Sequence, residues 1–296
     1  MNKTIVIYHG GCRDGFCAAW VYNKYLMHSE DLHGDFSHRQ NTEYYPGYYG
    51  QEPPDVIDKD VIILDFCYPL EIMQSIIIEC KSLIWLDHHK TAIEFANWLE
   101  QTKYEHVKFI FDNNRSGAGL TWDYFFPNEP RPWLVDYVED RDLWAKKLNY
   151  SDEINSLISC LEFKFEVWDK WSNETVGYAK NCGQIAEMKT EQYIREVCKN
   201  VYFANFINYV GVTNEKNIPT VNICQIDCSE VMHELCKKYP ESPFSLYWFK
   251  RQDGMYQYGM RSIGDFDVSN VAKLFGGGGH KNAAGFQLNY LLEELK

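Results

Sequence analysis

Positive charge is scarce in this chain: 29 Lys and Arg stand against 42 Asp and Glu, a net charge of −13. The cations are also dispersed. That argues against wrapping a long nucleic-acid duplex, because counterion release needs a concentrated basic face. A small anionic ligand stays compatible, since a few placed cations or metal ions govern one cleft whatever the global balance. No run of about twenty uninterrupted apolar residues occurs, so no membrane association is expected. The opening MNKTIVIYHGG lacks the basic start, apolar segment and cleavage site of a targeting signal, and the chain reads as soluble and cytoplasmic. No CxxC pair occurs among the ten cysteines, and a chain of 296 residues needs no disulfide staples, so reduced thiols are expected. Gly-x-Ser-x-Gly and GxxxxGK[ST] are absent too, which leaves acyl transfer and NTP-driven chemistry without support.

What is present is a repeated unit. With 45% hydrophobic and 16% aromatic residues, the chain can bury two modest cores. TIVIYHG precedes FCAAWVYNKYL, DVIILDFCYP precedes LEIMQSIIIEC, SLIWLDHH precedes KTAIEFANWLE, and HVKFIFDNN precedes SGAGLTWDYFF. Near-continuous apolar runs alternating with helical spacing predict βαβ units and a doubly wound, mostly parallel sheet. Polar residues recur where the strands end: His9, Asp65, Asp87 with His88 and His89, and Asp112.

In open α/β sheets ligands bind beyond the carboxyl ends of the strands, so His9, Asp14, Asp65 and residues 87–89 are expected to converge on one crevice. Carboxylates gathered there repel one another unless a cation lies between them. Mixed carboxylate and imidazole donors suit Mn²⁺, with Mg²⁺ or Co²⁺ as alternatives. The competing reading of any single Asp is an N-cap of the next helix. Capping does not require two further imidazoles, as in Asp-His-His.

HGGCRDG (9–15), LDF (64–66), LDHH (86–89), VEDRDLW (138–144) and GGGGHKNAAGF (276–286) together resemble, in order, the motifs of the DHH phosphoesterases, the last belonging to their DHH-associated C-terminal domain. The resemblance spans nearly the whole chain. It implies a catalytic domain over residues 1–184, a linker helix over 185–208 and a smaller mixed α/β substrate-binding domain over 209–296, with a homodimer compatible with this layout. It also implies one or two Mn²⁺ ions held by His9, Asp14, Asp65, His88 and Asp140, with Asp87 orienting His88 and His89 facing the scissile phosphate. Asp142 is the alternative to Asp140, or an ion-pair partner of Arg141. The first motif departs from the family pattern, because Cys12 stands where an aspartate is common and the loop is one residue shorter. Cys12 is either a soft-metal ligand or a small buried residue beside a tight turn.

The C-terminal motif reads as a phosphate face. Gly277, Gly278 and Gly279 allow the backbone to approach an anion, His280 adds a proton or a charge, and Arg261 with Ser262 resembles the family's phosphate-reading pair. RSGAGLTW (115–122) is expected to start a helix with Ser116 as cap, a helix end that can also receive phosphate. YYPGYY (44–49) is either packing and rim or a surface for a base. The expected function is metal-assisted hydrolysis of short oligonucleotides or dinucleotides to mononucleotides. The alternatives are a phosphomonoesterase acting on a nucleotide 3′,5′-bisphosphate or polyphosphate, and a non-catalytic nucleotide sensor.

Overall fold

The computed structural model describes residues 3–34, 36–89, 104–209, 213–224 and 227–292, together with Ala92, Phe95, Trp98, Leu99 and Thr102. The helix expected directly after LDHH falls mostly outside the described residues. The chain divides into two units, Met1–Glu187 and Met188–Lys296.

The first unit comprises β1 (Thr4–His9), α1 (Arg13–His33), α2 (Ser37–Gln40), β2 (Thr42–Gly47), β3 (Asp60–Leu64), α3 (Leu70–Glu79), β4 (Ser82–Asp87), β5 (Val107–Phe111), α4 (Gly117–Phe125), α5 (Trp133–Asp142), α6 (Ser151–Cys160) and α7 (Phe165–Ser172). Its strands form one sheet in the order β2-β1-β3-β4-β5, and every pairing is parallel. Successive strand residues face opposite ways, as the period of two demands. Ile5, Ile7, Val61 and Ile63 bury one face with Met73, Ile76 and Ile77 of α3. Val6, Ile62 and Leu64 bury the other with Ala18, Tyr22 and Leu26 of α1 and Leu120 of α4. Helices therefore cover both faces, the doubly wound arrangement expected from the near-continuous apolar runs. The order reverses between β1 and β3, and the carboxyl ends of those two strands carry His9 and Asp65.

Helix α8 (Val176–Val197) leads from the first unit into the second. There β6 (Tyr202–Tyr209), β7 (Thr213–Asn222), α9 (Cys228–Lys238), β8 (Ser245–Lys250), β9 (Tyr256–Arg261), α10 (Val268–Leu274), β10 (Gly278–His280) and β11 (Ala283–Leu288) follow. The sheet order is β10-β11-β9-β8-β7-β6, antiparallel except where β7 meets β8. Val268, Val271 and Ala272 of α10 pack with Leu246, Tyr258, Met260 and Phe286 in one core. Val231, Met232 and Leu235 of α9 pack with Val221 and Tyr247 in another. The helical stretch expected to reach residue 208 ends at Val197, and β6 begins at Tyr202 because that segment finds a partner in β7.

Candidate metal centre

Strand ends supply most of the first unit's charged interior. Asp65 follows β3 with a left-handed backbone, φ 57°, and its amide donates to the Leu86 carbonyl at 2.9 Å, which ties it to the end of β4. A non-glycine residue held there signals local strain that its surroundings must offset. Its Oδ1 lies 2.9 Å from His88 Nε2 and 3.7 Å from His89 Nδ1, while Oδ2 lies 3.5 Å from His9 Nδ1. His88 Nε2 also stands 3.5 Å from Asp14 and 3.6 Å from Asp142. Three carboxylates thus surround one imidazole nitrogen.

Asp87 holds this corner together. Its Oδ1 accepts from the His88 amide at 2.7 Å, the His89 amide at 3.0 Å and His89 Nδ1 at 2.8 Å. The carboxylate therefore caps the turn after β4 and fixes the plane of the His89 ring. Asp87 thus orients the His89 ring, and its contact with His88, which it was expected to orient, runs through the His88 amide.

Asp14 is anchored in another way. It sits in the first turn of α1, and its carboxylate accepts from the amides of Gly117 at 2.6 Å and Ala118 at 2.9 Å, buried donors at the start of α4 that have no partner within the helix. Two helix N-termini, each with a partial positive charge, meet on one carboxylate. Ser116 caps α4 as expected, accepting from Gly119 N at 3.0 Å. The amides considered for a phosphate are thus committed to Asp14. The two glycines of this turn have steric reasons: a Cβ on Gly117 would collide with the Asp65 side chain, and one on Gly119 with the Glu139 carboxylate. Glu139 in turn accepts from Arg115 Nε, Ser116 N and Arg131 Nη1, which fastens α4 to α5. Sequence reading missed this supporting role. The available signal was two glycines in the first turn of a helix, where each weakens the helix by about 1 kcal/mol and so needs another justification.

Asp140, expected as a ligand, is engaged by other donors. Its Oδ1 accepts from Lys147 N at 2.7 Å and its Oδ2 from Ser151 Oγ at 2.6 Å, so the carboxylate organises the turn between α5 and α6. Residues two apart on a helix project about 200° apart, so Asp142 points to His88 when Asp140 does not. Arg141 stacks over the Trp144 ring at 4.0 Å. Asp112 accepts from the Asn114 amide at 2.9 Å and serves its own turn.

The electrostatics match the geometry. Burial works against charge on His88, but its hydrogen bond to Asp65 and the charges of Asp142 and Asp14 push its pKa up to about 11. Burial and the neighbouring Asp65 and Asp142 raise Asp14 well above the carboxylate range, whereas Asp65, despite its burial, is held well below it by the hydrogen bond to His88 and the nearby His9 and His89 imidazoles. Desolvation raises the Cys12 thiol above its ordinary value, with the His9 contact acting against that. Among the described residues, buried Asp65 Oδ2 and Asp87 Oδ2 accept no hydrogen bond. Two sets of donors, His9 with Asp65 and His89, and Asp14 with His88 and Asp142, each lie within 4.8 Å of one another. Anionic oxygens and imidazole nitrogens left this close, some without a proton donor, fit a divalent cation. The side chains of His9 and Asp142 are 21% and 22% exposed, against 1% to 7% for Asp65, His88 and His89, so solvent reaches the cluster along those two residues.

In the second unit, His280 pairs with Ala283, and Ala283 with Arg261. Directly paired residues of antiparallel strands project to one face, so Arg261 and His280 share a face one strand apart. The other expected phosphate contacts are used elsewhere. Ser262 Oγ donates to the Phe266 carbonyl at 2.7 Å and accepts from Asn282 Nδ2 at 2.9 Å. Gly277 N donates to the Ala272 carbonyl at 2.9 Å, closing the C-terminus of α10, and a Cβ on Gly277 would strike the Gly285 carbonyl oxygen. Gly278 and Gly279 lie in β10, where Gly279 adopts φ 137° over Ala283 and Ala284. Close strand packing accounts for these glycines where a phosphate loop was expected.

A parallel sheet with carboxylates and imidazoles gathered at its switch point, followed by a mixed-sheet unit, defines a two-unit α/β protein with a metal-type centre. Residues 217–296 match the DHHA1 domain. The chain is 30% identical over 292 residues to uncharacterized protein R106 of Acanthamoeba polyphaga mimivirus, a match covering 95% of this chain and 66% of that protein. It is 24% identical over 234 residues to oligoribonuclease NrnB of Bacillus subtilis (strain 168), covering 71% of this chain and 54% of NrnB. It therefore spans less than two thirds of the length of either relative. A solved DHH domain from a member of a ribosomal-protein family shares the fold, with a TM-score of 0.57 at 13% identity over 96% of this chain and 82% of that one. The chain thus carries a DHHA1 domain over residues 217–296, and its motifs resemble those of the DHH phosphoesterases. No helix among the described residues is long and apolar enough to cross a membrane.

Proposed function

We propose that this protein is a divalent-metal-dependent phosphodiesterase that hydrolyses short oligonucleotides or dinucleotides to mononucleotides in the cytoplasm. The observation that carries the reading is the pair of donor sets around His9, Asp65 and His89 and around Asp14, His88 and Asp142, joined by the 2.9 Å contact between Asp65 and His88. Nitrogen and oxygen donors in this proportion suit one or two Mn²⁺ ions, with Mg²⁺ or Co²⁺ as substitutes. When bound, a divalent ion supplies Lewis acidity that activates water and offsets charge on phosphoryl oxygens.

The chain's own groups do the rest. Asp65 belongs to the set with His9 and His89 and joins it to the other set through its 2.9 Å contact with His88. Asp87 holds His89 by Nδ1, so any contact of this ring with a metal ion or a phosphoryl oxygen is made through Nε2. Arg261 and His280 grip phosphate or the terminal nucleotide as charge-assisted donors, which makes the second unit the substrate-binding part and the first the catalytic part. The name oligoribonuclease borne by the Bacillus relative and the dispersed cations of this chain both favour a short strand over a duplex.

The test is incubation with Mn²⁺ and a panel of labelled dinucleotides, oligonucleotides, cyclic dinucleotides, adenosine bisphosphate and polyphosphate. Release of mononucleotides from the short diesters, abolished by EDTA, is expected. Turnover confined to bisphosphate or polyphosphate would replace the reading with a phosphomonoesterase, and tight nucleotide binding without turnover under any divalent ion would replace it with a sensor.

A further inference from the structure

Two separate parts of the sequence meet at the end of β1. A Cβ built on Gly10 would lie 2.6 Å, 2.8 Å and 2.9 Å from Cζ, Cε2 and Cε1 of Tyr48. Three ring atoms at nearly equal distance lay the phenol end of the ring flat on the Gly10 backbone. A Cβ on Gly11 would lie 3.5 Å from Tyr48 Cε1, and Gly11 has a φ of 69°, so the Gly-Gly of HGGCRDG serves the turn and the ring together. The Gly10 amide donates to the Gly47 carbonyl at 2.8 Å, which clamps the residue before Tyr48 to the same turn.

One face of Tyr48 is thus fixed on backbone, yet the residue is 42% exposed. Its neighbour Tyr49 is 43% exposed, meets His9 edge to face at 5.6 Å and packs on Phe66 at 5.1 Å. The four tyrosines of YYPGYY divide cleanly. Tyr44 and Tyr45 pack against the cores on opposite faces of the sheet, while Tyr48 and Tyr49 belong to neither of these clusters. Packing therefore explains Tyr44 and Tyr45, and Tyr49 through Phe66, and leaves Tyr48 next to the residue that meets His9, where solvent reaches the candidate metal centre.

We infer that Tyr48 is a stacking platform for a nucleobase of the substrate, the base attached through its ribose to the phosphate that a divalent ion held by His9, Asp65 and His89 would receive. Every base offers a π-face to a fixed aromatic ring whatever its sequence, and stacking brings no repulsion into an acid-rich cleft. A short substrate on a protein of net charge −13 cannot draw its affinity from a long cationic track, so a base contact supplies what charge does not. The inference rests on the phosphodiesterase reading and narrows it to nucleotidyl substrates, since polyphosphate has nothing to stack.

Tyr48→Ala, Tyr48→Phe and Tyr48→Trp test it with two readouts. The first is kcat/KM with Mn²⁺ for a dinucleotide and for the same diester lacking one base. The second needs no turnover: quenching of a dinucleotide containing 2-aminopurine by the metal-free protein. Tyr48→Ala is expected to lower kcat/KM for the dinucleotide about 10- to 100-fold, mainly through KM, to spare the abasic diester and to lose the quenching. Tyr48→Phe and Tyr48→Trp are expected to match the parent. Equal loss on both diesters, no loss on either, or a Phe variant as poor as the Ala variant overturns the platform. If the parent protein quenches 2-aminopurine through Tyr48 but hydrolyses no diester, the phosphodiesterase reading fails and the platform stands. If it hydrolyses dinucleotides without any dependence on Tyr48, the platform alone fails.

Discussion

The amide of Gly117 donates to Oδ2 of Asp14 across 2.6 Å, joining the first turn of α4 to a carboxylate near the start of the chain. The same glycine has no room for a side chain, because the position of a Cβ is taken by Asp65. One residue without a side chain therefore positions two carboxylates of the candidate centre.

Gly117→Ala is accordingly expected to displace Asp65 and to weaken Mn²⁺ binding and hydrolysis together, with a stability loss of about 1–3 kcal/mol from overpacking. Gly177→Ala is the control, since a Cβ there meets nothing within 4 Å and the residue lies in α8. It should leave metal binding unchanged and stabilise the helix by about 0.5–1 kcal/mol. Urea unfolding and Mn²⁺ titration of both variants would decide the point; equal Mn²⁺ affinity in the two would refute the positioning role.

Asp140 and Asp142 should separate stability from metal binding. Asp142→Asn is expected to lower Mn²⁺ affinity and turnover with little change in unfolding free energy, because its carboxylate faces His88 and is partly exposed. Asp140→Asn is expected to keep Mn²⁺ affinity but to cost about 1–3 kcal/mol, since Lys147 N and Ser151 Oγ depend on its two oxygens. The opposite pattern would restore Asp140 as the ligand.

The raised pKa of His88 gives a pH dependence with a definite sign. A group whose pKa rises on folding from 6.5 to about 11 adds stability that is fully present below 6.5 and is lost as the pH climbs through 11. The metal-free protein should therefore lose stability as pH rises across that window. A metal at His88 must displace its proton, and Asp14, also raised, adds to the release, so Mn²⁺ affinity should increase with pH and binding should release at least one proton. Calorimetry in two buffers of different ionisation enthalpy measures that release; a heat independent of buffer would count against a ligand role for His88.

Arg261 and His280 are expected to matter for substrate and not for metal. Arg261→Lys and His280→Ala should leave Mn²⁺ affinity unchanged, yet lower kcat/KM for a dinucleotide by about 1.5–3 kcal/mol. A minimal phosphodiester should suffer less, because it lacks the remote groups whose binding orients the scissile bond. Kinetics on both substrates beside a metal titration provide the check, and lost metal binding would assign these residues to the centre or to the fold.

What the sequence made legible were features with a local signature. Alternating apolar faces and polar residues at strand ends located His9, Asp65, Asp87, His88 and His89 before any coordinate, because strand ends and switch points are consequences of the chain's own periodicity. Asp140 and Asp142 have the same chemistry, and only the helical phase of α5 tells them apart. The glycines at 277–279 have an obvious use as anion binders, but the Gly277 amide closes α10 and the chain beyond it packs on β11, a partner that adjacent sequence does not reveal. Residues 202–209 became a strand for the same kind of reason, through pairing with β7.

The left-handed backbone of Asp65, at φ 57°, sets local comfort against chemistry. Glycine at that position would relieve the conformation by roughly 1 kcal/mol, yet it would strip His88 of its buried 2.9 Å partner, a loss of about 3–5 kcal/mol. A laboratory selection for thermal resistance alone would thus tend to keep this carboxylate in spite of its backbone, because charge pairing outweighs the conformational strain even where turnover is not demanded.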